Sequence, residues 1–66
     1  MESCYVEWIG GDSSYTGYNV YVKSASDSDW TKLDDQLIRK YPDRWRADAV
    51  GLAAGTYNMK VVPVSA

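Results

Sequence analysis

Apolar and polar residues alternate in short runs along this chain, and each run ends in a cluster of glycine, serine or aspartate. Residues 4–9 place Val6 and Trp8 on one face and Glu7 on the other, the pattern of a half-buried strand. Gly10, Gly11, Asp12, Ser13 and Ser14 break that run as a loop. The clearest alternation follows over 18–23, with Tyr18, Val20 and Val22 on one face and Asn19, Tyr21 and Lys23 on the other. A short polar loop over 24–29 comes next. Residues 30–41 fit two descriptions. Leu33, Leu37, Ile38 and Tyr41 fall at helical spacing, and Thr31 with Asp34 resembles a capping box. A short strand at 30–33 followed by an irregular or single-turn helical segment fits as well, and is the preferred description. Pro42 holds Tyr41 extended and ends whatever precedes it.

The second half continues the pattern. Over 44–52, Arg44, Arg46 and Asp48 alternate with inward-facing Trp45, Ala47 and Ala49. Ala53, Ala54 and Gly55 form a turn, and 56–64 is a last strand with Tyr57, Met59 and Val61 on one face. Pro63 near its end marks an edge or a strand terminus. Four or five short strands separated by turn signals predict an all-β sandwich without repeats or a second domain.

Composition narrows this further. The chain has 66 residues, nine acids against seven bases, no His, one Cys, six Tyr and three Trp. A domain of this size buries only about 60% of its unfolded surface, so the core is thin. One Cys closes no intrachain disulfide, and without His neither a zinc cage nor a Ser-His-Asp or Cys-His arrangement can be assembled. No cofactor is expected. No apolar run approaches the ~20 residues that span a bilayer, and the first eight residues lack the apolar region of a signal peptide, so no membrane association is expected. The net charge of −2 implies no partner by itself.

The most unusual local composition is Arg39, Lys40, Tyr41, Pro42, Asp43, Arg44, Trp45 and Arg46: four cations against one anion. Guanidinium groups grip carboxylates through paired hydrogen bonds, so this segment suits an acidic polysaccharide. The ordinary alternative is a solvated strand and loop whose arginines pair with Asp34, Asp35, Asp43 and Asp48. A pI near 4.7 and the lack of a wider basic stripe speak against nucleic acid. Trp30 sits beside a polar loop and is the aromatic most readily exposed, whereas Trp8 and Trp45 have inward parity. The adjacent carboxylates of Asp34 and Asp35 lack the across-cleft spacing of a glycosidase. Ser26, Asp27 and Asp29 lack the Gly and distal Glu of a calcium loop. Cys4 suits a small packed side chain better than a nucleophile.

Trp8, then Tyr18 and Val20, then Leu52, Gly55, Thr56 and Tyr57 resemble strands B, C, E and F of a fibronectin type III-like sandwich. The interval from Leu52 to Tyr57 is one residue shorter than is common in that family. The strings Arg46-Ala47-Asp48 and Gly51-Leu52-Ala53-Ala54-Gly55-Thr56-Tyr57 are similar to the N-terminal module of bacterial secreted pectate lyases, and the similarity covers about residues 5–64. The resemblance implies a single truncated immunoglobulin/fibronectin type III-like sandwich over 1–66, lacking the outer A and G strands. Open edges of that kind invite a homo-oligomer. It also pairs the F-like strand with the C-like one, which brings Lys60 to the outer face beside Tyr21 and Lys23. The implied role is a secreted, non-catalytic, carbohydrate-binding accessory module that attaches a catalytic β-helix domain in the parent chain to plant cell-wall polysaccharide. Its candidate ligand-binding residues are Tyr21, Lys23, Trp30, Arg39, Lys40, Tyr41, Arg44, Arg46 and Lys60. The alternative is a structural spacer or interaction module packing on the catalytic domain, with no ligand.

Overall fold

The alternating runs fold as six strands and one 3-10 turn, described for residues 2–10 and 14–65 in a computed structural model. The strands are β1 (Glu2–Trp8), β2 (Tyr15–Ser24), β3 (Thr31–Lys32), β4 (Ile38–Lys40), β5 (Trp45–Leu52) and β6 (Tyr57–Ser65). They form two antiparallel three-stranded sheets, ordered β1-β5-β4 and β3-β2-β6. The chain is therefore a small all-β sandwich. Its B- and E-like strands lie in one sheet and its C- and F-like strands in the other, the division expected of an immunoglobulin-type fold. Of the loop expected over 10–14, residues 11–13 lie outside the described residues.

The strand parities read from the sequence decide which side chains meet between the sheets. Val20 and Val22 of β2 face Ala47 and Ala49 of β5, and these four with Leu33 are the buried core. Val20 and Ala47 are fully buried and Ala49 is 1% exposed. Half-buried Cys4, Val6, Leu37, Ile38, Leu52, Tyr57, Met59 and Val61 ring this centre. The Cys4 thiol lies 3.6 Å from the Met59 sulfur and packs against the core.

One end of the sandwich is closed by rings instead of aliphatic side chains. Trp8 stacks on Trp45 with centroids 6.3 Å apart, and Tyr18 meets both edge-on at 5.4 and 4.9 Å. Such pairs contribute about 0.5–1.5 kcal/mol beyond the area they bury. They offset a cost, since the Trp8 indole N–H is buried with no partner among the described residues. At the opposite end the Tyr57 hydroxyl donates to the Ala53 carbonyl at 2.8 Å. This is a tyrosine corner between β5 and β6, formed despite the shortened Leu52–Tyr57 interval. Gly51, at φ 72°, supplies the left-handed turn in β5 where its register with β1 shifts between Glu2 and Cys4.

Residues 30–41 take the preferred strand description. Thr31–Lys32 pairs with β2, a single 3-10 turn covers Asp35–Leu37, and β4 follows at once. The helical spacing of Leu33, Leu37 and Ile38 is real but is used differently, to fold three apolar side chains back onto the core from a bridge between the sheets. Asp34 caps the turn by accepting from the Gln36 amide at 2.9 Å, so the suggested Thr31–Asp34 box does not form. Pro42 and Asp43 sit at the tip of the β4–β5 hairpin, closed by the Tyr41 amide donating to Arg44 O at 2.8 Å.

The aromatic end yields a test. A Cβ on Gly10 would lie 2.6 Å from Trp45 Nε1 and 2.7 Å from the Tyr18 hydroxyl, inside van der Waals contact. Both rings are held by their neighbours, so the strain cannot relax through a free side chain. Gly10→Ala is expected to lower unfolding free energy by about 1–3 kcal/mol in urea titrations; an unchanged midpoint would show that the ring cluster is loose.

Candidate functional site

The two sheets present opposite outer faces, and the sequence-derived candidates divide between them. On the β1-β5-β4 sheet, β5 turns Arg46 and Asp48 outward. Register places Glu7 and Arg39 on either side of Arg46, and Tyr5 opposite Asp48. Arg44 enters from the hairpin. Its Nε donates to Glu7 Oε2 at 2.7 Å and its Nη1 to Asp43 Oδ1 at 2.9 Å. Arg46 donates to Asp48 through Nε and Nη2 at 3.0–3.2 Å, and its Nη1 lies 3.5 Å from Glu7. Both guanidinium groups also stack on tyrosines, Arg46 at 4.0 Å from the Tyr5 centroid and Arg44 at 4.7 Å from Tyr41.

Two of the four cations in the basic stretch read from the sequence are thus neutralised in three dimensions. Two arginines meet three carboxylates, and one of these, Glu7, comes from a strand 37 residues away. The Arg44 hydrogen bond holds the Glu7 carboxyl below the ordinary carboxylate range, against a smaller opposing effect of desolvation. Arg44 is raised by its bonds to Glu7 and Asp43, and Arg46 by its bond to Asp48. Of the expected acid partners, Asp43 and Asp48 serve as such. Asp34 caps the 3-10 turn instead, and Asp35 pairs with Lys32 at 3.4 Å. Arg39 and Lys40 are exposed and form no ion pair among the described residues.

The outer face of the β3-β2-β6 sheet is built differently. Tyr21 lies opposite Lys32 of β3 and Lys60 of β6, which makes a Lys-Tyr-Lys row across all three strands. The adjacent row pairs Lys23 with Asn58. Trp30, just before β3, folds over this surface and remains 37% exposed. The Lys60 ammonium sits 4.5 Å from the Trp30 centroid and 5.2 Å from that of Tyr21. Lys23 approaches Trp30 at 5.5 Å while its ammonium donates to the Asp27 carbonyl at 3.0 Å. Three lysines and two rings converge here, and among the described residues Asp35 is the one carboxylate bonded to any of the three. This face can stack an aromatic or sugar ring and attract an anion.

Of the nine candidates, Tyr21, Lys23, Trp30 and Lys60 come together in this cluster. Arg44, Arg46 and Tyr41 join the opposite, self-paired network, while Arg39 and Lys40 stand beside it. Lys32 was missed, although the alternation that buries Leu33 turns its neighbour outward. Glu7 was recognised as outward-facing but not as the hub of the arginine network, because nothing local in the sequence links it to Arg44. Comparison of the chain with protein-family models, curated proteins and solved structures gives no match.

The network carries a pH signature. Because folding lowers the Glu7 pKa, its contribution is complete above the unfolded carboxylate value and fades as pH falls through the lower folded value. Acid scans of the unfolding midpoint are expected to show a steeper fall below about pH 4.5 for the native chain than for Glu7→Gln. Parallel curves would contradict the Glu7–Arg44 coupling.

Proposed function

We propose that this protein is a non-catalytic carbohydrate-binding module that holds an attached enzyme against an acidic polysaccharide. The observation that carries this reading is the Lys60 ammonium lodged between Tyr21 and Trp30, with Lys23 and Lys32 beside them on one open sheet face. An exposed indole offers an apolar plane to the C–H face of a sugar ring. Ammonium groups at its rim attract uronate carboxylates without demanding a fixed geometry. A flat surface of this kind binds weakly, and weak attachment suffices when its role is to raise the local concentration of a tethered catalyst. The sequence resemblance to the fibronectin type III-like module of secreted pectate lyases supports pectin as the polymer, an extracellular setting and a β-helix lyase as the attached enzyme.

A second reading, a spacer or interaction module with no ligand, is favoured by one observation. Among the described residues β1 and β6 are edge strands lying side by side, the kind of surface that packs against another domain.

Electrophoresis through gels containing polygalacturonate, xylan or no polymer separates these readings. Polygalacturonate is expected to retard the protein, and high salt to abolish the retardation. Trp30→Ala and Lys60→Gln should each weaken binding roughly two- to fivefold, the weight of one exposed cation–π or charge contact. Absence of retardation on every polymer would favour the spacer. Retardation that survives both substitutions would remove the cluster from the binding site.

A further inference from the structure

The outer face of the β3-β2-β6 sheet extends beyond the lysine row. Outward positions on β2 run from Lys23 and Tyr21 to Asn19, about 7 Å further along the strand. At that level β2 has lost its neighbour on one side. β3 pairs only with Tyr21 and Val22. Once the Leu33 amide has donated to the Val20 carbonyl, the chain leaves through the 3-10 turn toward the other sheet. The space this leaves beside β2 is a cleft of about 300 Å³, at the small end of the range for ligand sites.

The cleft differs in chemistry from the lysine row. Tyr18, Asn19, Asp35, Ile38 and Trp45 line it, and no lysine or arginine does so among the described residues. Gly17 lines it too, and a Cβ there would meet nothing within 4 Å, so this part of the cleft is open. Aromatic and aliphatic walls suit the C–H face of a sugar ring. An amide and a carboxylate bond its hydroxyls. Asp35 also pairs with Lys32 at 3.4 Å, so one ion pair marks the boundary, with its ammonium in the lysine row and its acid at the cleft.

We infer that the cleft is a second sugar subsite, specific for an uncharged residue, and that the polymer selected by this face carries a uronate next to a neutral sugar. The inference rests on the carbohydrate-binding reading proposed above and narrows its substrate class. A uronate over Tyr21 and Trp30 directs its carboxylate to Lys60 and Lys23, whose ammonium groups lie 4.5 and 5.5 Å from the Trp30 ring. The next sugar along β2 enters the cleft. A second uronate there would set its carboxylate near Asp35 with no lining cation to offset the repulsion. A polymer of uronates alone fills the lysine subsite and gains nothing from the cleft.

Titrations with digalacturonate and with galacturonosyl-rhamnose, followed by amide and indole chemical shifts, test this. The mixed disaccharide is expected to bind about two- to tenfold more tightly, the weight of one added hydrogen bond. It should shift Asn19 and the Trp45 indole as well as the lysine row. Gly17→Leu occupies open space in the cleft and should erase both the preference and the Trp45 shift, with digalacturonate affinity unchanged. Asp35→Lys, at an exposed position, should reverse the preference by giving a second uronate its counter-ion. Equal affinities for the native chain overturn the inference and leave the proposed function standing, and so does a preference that survives both substitutions. If neither disaccharide shifts the lysine row, the carbohydrate-binding reading falls and the inference with it.

Discussion

The structure depends on one contact between sheets, where Val20 and Val22 of β2 meet Ala47 and Ala49 of β5. These strands are the central members of their sheets, and only around this crossing does the interior become fully closed. A chain of this length cannot spread such a core over its whole width. The remaining closure is made by other means at each margin. A wedge of indole and phenol rings fills one end, a tyrosine corner ties the other, and the 3-10 segment plugs one flank. The fourth margin, between β1 and β6, has no such device among the described residues.

This central contact also sorts the surface. Burying Val20, Val22, Ala47 and Ala49 fixes strand parity, and parity in turn forces Tyr21 and Lys23 onto one outer face and Arg46 and Asp48 onto the other. The two faces then acquire opposite characters. The arginine face carries its own counter-ions and stacks its guanidinium groups on its own tyrosines. The lysine face gathers cations from three strands around two rings, with a single bonded carboxylate among the described residues. The functional proposal rests on this division, since the pull of Lys60 toward Trp30 builds the cluster.

Much of this was legible in the sequence, for a physical reason. Period-two alternation reports burial directly, so β1, β2, β5 and β6 and their inward residues could be read from the chain. The turn at Ala53–Gly55 and the outward parity of Tyr21 could be read likewise. Charge was less legible. Arg39 to Arg46 stands out as a basic run only while the chain is viewed in one dimension; the fold brings Glu7 across to it and neutralises two of its four cations. The lysine face shows the converse, since Lys23, Lys32 and Lys60 are far apart in sequence and become neighbours only through β-pairing. The 30–41 segment was ambiguous because one turn of 3-10 helix between two very short strands gives apolar spacing close to that of an α-helix.

The central claim is that the surface open to an anionic polymer is the lysine–aromatic face and not the arginine-rich one. Mapping amide and indole chemical shifts during titration with oligogalacturonate tests it residue by residue. The account predicts shifts at Tyr21, Lys23, Lys32, Lys60 and the Trp30 indole, with the Arg44 and Arg46 region unmoved. Shifts concentrated on Arg39, Lys40, Arg44 and Arg46, with the Trp30 indole silent, would contradict it.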